Sequence, residues 1–216
     1  VAGTLVQAIS GVLIARLLTP ELFGQYSLAF SVASIATLVL GAGVQDAIAP
    51  QMSRAWAGGD RDAVRTAMGF FMKYMAIASL MTVLIVIVLP FVTYQIYGLH
   101  SIGWYADIIV IASLVSMVLL VPAQLMLQVA GRIRSLSFVL FTDVVFRYST
   151  IVVLVLLGFG VTGAISGHLV GAFGMVVVVL VVYRRLSKQE ILVPRWGEMT
   201  NMARQVSWQP LLKPTF

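Results

Sequence analysis

Apolar residues run along this chain in six long stretches, separated by short joints rich in charge, glycine or proline. A helix needs about 20 largely apolar residues to cross about 30 Å of hydrocarbon, and the stretches are close to that length. The pattern predicts membrane spans over residues 1–18, 27–50, 70–97, 105–129, 136–157 and 161–183, the third with its apolar core at 74–92. The joints carry turn chemistry: Thr19-Pro20 suits a helix start, with Thr19 capping and Pro20 at the first helical position. Glycines mark the others, at Gly58, Gly98, Gly131, Gly158 and Gly160.

Composition agrees with lipid as the solvent. Of 216 residues, 60% are apolar and 10% charged, and the mean hydropathy is +1.01; a soluble domain has about 25% charged residues. The net charge of +6 raises the question of nucleic acid, but the positions of the bases answer it. Arg54, Arg61, Arg65 and Lys73 follow the second span, Arg132 and Arg134 the fourth, and Arg184, Arg185 and Lys188 the sixth. Those nine face one side, whereas the other has only Arg16. Basic loops stay in the cytoplasm, so spans one, three and five run outward, both ends of the segment are cytoplasmic, and nucleic acid is not needed to explain the charge. The fold expected is an all-α integral membrane bundle over residues 1–185, located in the cell inner (plasma) membrane. Residues 186–216 read as a cytoplasmic linker and the start of a seventh span. The chain starts within a helix at Val1 and reopens an apolar run near its end, which predicts the N-terminal half of a two-bundle transporter; the alternative is a complete six-helix protein with a frayed tail. No internal repeat is visible.

Ionisable groups at membrane depth are functional candidates, since burying one near a helix centre costs at least about 2.5–3.5 kcal/mol. Asp143 and Arg147 are spaced i, i+4 on the fifth span and share one face. Arg147 lies roughly 18 Å into that helix from Ser135, near the midplane. A guanidinium facing a water-filled cavity there can hold a phosphate through its planar fork; alternatively the pair satisfies itself and packs against a neighbouring helix. Gln7, about 14 Å below the outer surface, is a second cavity candidate, or an interhelical hydrogen bond. Asp46, Arg54, Gln124 and Gln128 fall at the inner rim. Arg16 and Glu21 belong to the first outer turn, and Asp107 sits where the start of the fourth span favours a negative charge. His168 lies within the ridge Gly163, Gly167, Gly171, whose GxxxGxxxG spacing permits close helix approach. Pro90 and Pro122 remove backbone hydrogen bonds from their spans.

Cysteine is absent, which excludes disulfides and thiolate sites. No P-loop, HExxH or GxSxG motif and no metal-ligand cluster is present, so neither an enzyme nor a metal site is expected.

The segment Ile14, Ala15, Arg16, Leu17, Leu18, Thr19, Pro20, Glu21, Leu22, Phe23, Gly24, Gln25, Tyr26, Ser27, Leu28, followed by Gly41, Ala42, Gly43, resembles the polysaccharide biosynthesis and oligosaccharide flippase family, the Wzx-like branch of the multidrug/oligosaccharidyl-lipid/polysaccharide exporter superfamily. The resemblance is strongest over residues 1–66 and continues in hydropathy and topology to about 185. Thr19 stands where the family usually has Gly, and Phe23 where it often has Tyr. The resemblance implies two helix bundles around a V-shaped cavity, this chain supplying the first. It implies a polyprenyl-diphosphate-linked oligosaccharide as substrate, moved across the bilayer for O-antigen, capsule or exopolysaccharide synthesis. It also implies coupling to a proton or sodium gradient, for which Asp143 is the candidate acid, no bound cofactor, and other polysaccharide-assembly proteins as further partners. Arg147 is matched to no family motif; its role is a physical inference. Competing readings are a multidrug exporter of the same superfamily, a membrane-embedded enzyme of the same pathway, and an accessory subunit. Asp143 is the only deep acid and has Arg147 one turn away, which disfavours a site for drug cations. The short outer loops disfavour the enzyme.

Overall fold

The computed structural model describes residues 2–41 and 44–187, and among these it is helical throughout, without strands. Seven α-helices follow in order: α1 (Ala2–Leu17), α2 (Pro20–Gly41), α3 (Val44–Ala57), α4 (Arg61–Tyr97), α5 (His100–Val129), α6 (Ile133–Leu154) and α7 (Gly160–Ser187). Three stretches are long and apolar enough to cross a membrane: Arg61–Tyr97, His100–Val129 and Ile133–Val182. The third is two legs, α6 and α7, broken by the π-helical turn Val155–Phe159, where Gly158 takes φ 89° and Gly160 φ 55°. Left-handed backbone of this kind favours glycine. The remaining 188–216, read as a linker and seventh span, lie outside the described residues.

Local chemistry explains the joints. The Thr19 hydroxyl accepts from the Leu22 amide at 3.4 Å, so α2 starts at Pro20, seven residues before the span expected at 27. Asp60 caps α4 by accepting from the Ala63 amide at 2.9 Å, and Gly98 closes it in a left-handed conformation. The span expected over 27–50 falls on α2 and α3, and residues 42–43 between them lie outside the described residues. Helix α3 contains Pro50 and Arg54. Its Ile48, Ala49 and Met52 pack on α4 and α5. At 37 residues, α4 is roughly 55 Å long, so it extends well beyond a bilayer core. Its Leu80, Leu84, Ile87, Val88 and Phe91 are exposed, a surface suited to lipid and not to water.

Two apolar clusters stack along the bundle. Near the end that carries Arg54, Arg61 and Arg132, here the basic end, Met52, Met68, Phe71, Leu125, Val139 and Met175 pack together. Toward the opposite end, Ile14, Ala29, Ala33, Ala106, Val110, Ile151 and Ile165 do the same. The sixth and seventh helices hold the two together through backbone contact. A Cβ on Gly167 would stand 2.7 Å from Ile151 Cα, and one on Gly171 2.9 Å from Arg147 Cα; a Cβ on Gly174 would overlap the Phe146 ring. These are distances at which a side chain forces helices apart, so the glycine ridge is a packing face.

Gly167→Val should therefore lower the stability of the detergent-solubilised protein by about 1–3 kcal/mol, read as an earlier thermal midpoint for loss of the monodisperse peak. Gly24→Ala, where a Cβ meets nothing within 4 Å, should leave that midpoint unchanged or slightly higher.

Candidate functional site

Along α6, Val139, Asp143, Arg147 and Ile151 recur every four residues and form one stripe. Val139 belongs to the cluster near the basic end and Ile151 to the opposite one, so the charged pair occupies the level between them. Arg147 Nη2 donates to Asp143 Oδ1 at 3.0 Å and Oδ2 at 3.3 Å, and to Ser116 Oγ on α5 at 3.0 Å. The side chains of Arg147 and Asp143 are 18% and 16% exposed. Gly171 on α7 lies against the stem of Arg147, where a Cβ would come within 3.1 Å of its Cγ. Three helices thus fix the guanidinium: α6 supplies the counter-ion, α5 a hydroxyl acceptor, and α7 a bare backbone that leaves room for the aliphatic stem.

The same level reaches α1. Gln7, on an exposed position of α1, lies beside the Tyr148 hydroxyl, and a Cβ on Gly3 would touch Val144 at 3.6 Å. Of the cavity candidates, Asp143 and Arg147 are in direct contact, and Gln7 adjoins them through Tyr148. Ser116 was not visible as a member from the sequence, because it comes from a neighbouring helix; Tyr148 adjoins Arg147 along α6 itself. A mid-helix hydroxyl at the depth of Arg147 was the available signal for Ser116.

On α7, His168 is 3% exposed and its Nε2 shares a hydrogen bond with the Tyr26 hydroxyl of α2 at 3.1 Å. The Phe30 ring lies 5.7 Å from it, centroid to centroid. The histidine is therefore satisfied within an aromatic group that joins α2 to α7.

The residues read as an inner rim are dispersed. Arg54 is exposed and its Nε donates to the Pro50 carbonyl of its own helix at 3.3 Å. Gln128 is exposed and Gln124 half-buried on α5. Asp46 falls in the first turn of α3, but its side chain lies outside the described residues. Other bases at this end have local partners: the Arg61 guanidinium stacks 3.6 Å above the Trp56 ring, and Arg65 meets Asp62 at 3.7 Å. Among the described residues no three histidines or acids converge as a metal site would require. Asp107 departs from its expected place: α5 starts at His100 and not near Tyr105, so the acid lies beyond the first turn, where the helix-end effect fades.

With the architecture established, comparison with known proteins assigns the chain. The profile of the polysaccharide biosynthesis protein family matches residues 1–209. The chain belongs to that family. No curated protein sequence matches it. Among solved structures, the fold is similar to the outward-facing conformation of a multidrug resistance MATE family transporter of the MOP superfamily, with TM-score 0.68 and 19% identity over 97% of this chain. The match covers 46% of that transporter, so the chain spans less than half its length. Family and membrane-length helices together make the chain a multi-pass membrane protein, in line with the resemblance carried by residues 14–28.

The arrangement can present a cation from an otherwise apolar wall. Arg147 uses only Nη2 in these bonds; its Nε and Nη1 N–H groups have no partner among the described residues, and these are donors suited to phosphate or carboxylate oxygens. Removing Asp143 leaves the guanidinium without its counter-ion. Asp143→Ala should destabilise the protein by about 1–3 kcal/mol, whereas Asp143→Leu combined with Arg147→Met should recover most of the loss. Thermal unfolding of Asp143→Leu, Arg147→Met and their double variant, alongside Asp143→Ala, measures that coupling.

Proposed function

We propose that this chain forms the first bundle of a flippase that moves lipid-linked oligosaccharide across the cytoplasmic membrane for cell-surface polysaccharide synthesis. The observation that carries the reading is Arg147: a guanidinium at mid-bundle, held by Nη2 alone and partly open, with Nε and Nη1 unused. A polyprenyl diphosphate is an anion with a lipid tail. Its oxygens match the free donors of Arg147, while the tail stays in the hydrocarbon beside the exposed apolar faces. Asp143 keeps the cation neutralised when no substrate is present and yields part of the guanidinium to phosphate when it arrives. Gln7 and Tyr148 extend the polar surface toward α1, where sugar hydroxyls can be met. Membership in the polysaccharide biosynthesis protein family supports this cargo, and the likeness to one bundle of a MATE transporter supports alternating access between two bundles.

The same likeness favours one other reading, export of drug-like cations. Asp143 is ion-paired at 3.0 Å, so a cation would have to displace Arg147 from it, which disfavours that cargo. Orientation follows the basic loops, with both ends of the segment cytoplasmic, the protein lying in the inner membrane.

In cells that depend on this protein for surface polymer, Arg147→Ala should reduce polymer display about tenfold or more, the loss expected when a charge-assisted contact of about 1.5–3 kcal/mol is removed, with membrane expression preserved. Arg147→Lys, which keeps the charge but loses the fork, should give an intermediate level. Normal display by the alanine variant returns Arg147 to a packing role.

A further inference from the structure

Asp107 has no part in the proposed function, and it is more deeply buried than Asp143. It is 3% exposed, and its Oδ1 is buried with no hydrogen-bond partner. It sits two turns into α5, about 10 Å from His100, next to Ala106 and Ile109 in the apolar cluster opposite the basic end. An ionised carboxylate in such a place lacks both water and a counter-ion, a cost of several kcal/mol.

The titratable groups on elements that pack around this end of α5 are otherwise engaged or turned outward. Tyr26 of α2 is bonded to His168 of α7. Tyr94 of α4 stacks on His100 at 3.9 Å. Arg147 of α6 is bonded to Asp143 and Ser116, Tyr148 adjoins Gln7, and Glu21 and Tyr97 are exposed. None of them forms a hydrogen bond or ion pair with Asp107.

The register of α4 against α5 supplies a partner of another kind. A Cβ on Gly103 would come within 2.6 Å of Pro90 Cα, so the two antiparallel helices touch there, backbone to backbone. One turn further from their connecting loop, α5 reaches Asp107 and α4 reaches Val86. Pro90 has no N–H, so the Val86 carbonyl lacks the donor that an α-helix normally provides four residues on. A carboxyl group can donate a hydrogen bond only when it is protonated.

We propose that Asp107 is a proton-binding site: in this packed arrangement it carries a proton, directed toward the Val86 carbonyl that Pro90 leaves free, and release of that proton opens the α4–α5 seam. The neutral acid suits an apolar seam, and the carboxylate requires water to enter it. Packing is therefore favoured at low pH and lost as pH rises and the proton leaves. The surroundings do not suit an alkali cation, because the Thr93 hydroxyl is committed to the Leu89 and Pro90 carbonyls and, among the described residues, no group of three histidines or acids includes Asp107. The inference concerns a proton and a helix seam, and does not depend on which cargo the protein carries.

Infrared spectra of the protein in lipid nanodiscs test the proton directly. At neutral pH the wild type should show a protonated-carboxyl C=O band that shifts in D2O, disappears on alkaline titration and is missing from Asp107→Asn. A wild type without such a band, a band that survives in Asp107→Asn, or one that responds to sodium and not to pH overturns the proposal. The seam is tested with Thr93→Cys, since the chain has no cysteine and Thr93 is buried at the contact. Its labelling by a water-soluble maleimide should rise several-fold more with pH than it does in the Asp107→Asn background, where the amide mimics the neutral acid. Equal pH dependence in the two backgrounds overturns the opening of the seam.

Discussion

A guanidinium placed halfway along a bundle of apolar helices has no water to solvate it, and everything around Arg147 answers to that constraint. Asp143 stands one turn before it on the same stripe, and Ser116 meets it from α5. Gly171 removes the side chain that would hold α7 away from its stem. These three conditions come from three different helices, so the position of one charged group fixes how α5, α6 and α7 sit against each other. The apolar clusters above and below then close around a polar layer one or two turns thick.

The layer is built to stay charged yet remain accessible. A pair sealed in the core would have no donors to offer a ligand. Here both members keep about a sixth of their side-chain surface exposed, and the guanidinium keeps donors in reserve. In our reading this reserve is what recognises the diphosphate of a lipid-linked sugar. The glycine ridge on α7 thus serves function through packing, by letting the helix lie close enough that Arg147 is held without being enclosed.

Much of this was legible in the chain. Apolar run lengths located the helices, glycines at 58, 98, 131 and 158 located their joints, and i, i+4 spacing paired Asp143 with Arg147 before any coordinates. Ser116, the Tyr148–Gln7 contact and the Tyr26–His168 bond depend on which helix lies beside which, and hydropathy does not encode that. Asp107 shows the limit most clearly. Extending α5 back to His100 moves the acid from a solvated helix start to a second turn that faces inward, and a one-dimensional pattern does not fix such a rotation.

The central claim is that Arg147 recognises a diphosphate on a lipid. Native mass spectrometry of the protein released from nanodiscs, after equilibration with undecaprenyl diphosphate and undecaprenyl monophosphate in equal amounts, tests it most directly. The account predicts that the wild type retains the diphosphate in preference, and that Arg147→Met retains the two equally and weakly. Equal retention of the diphosphate by wild type and Arg147→Met would contradict it.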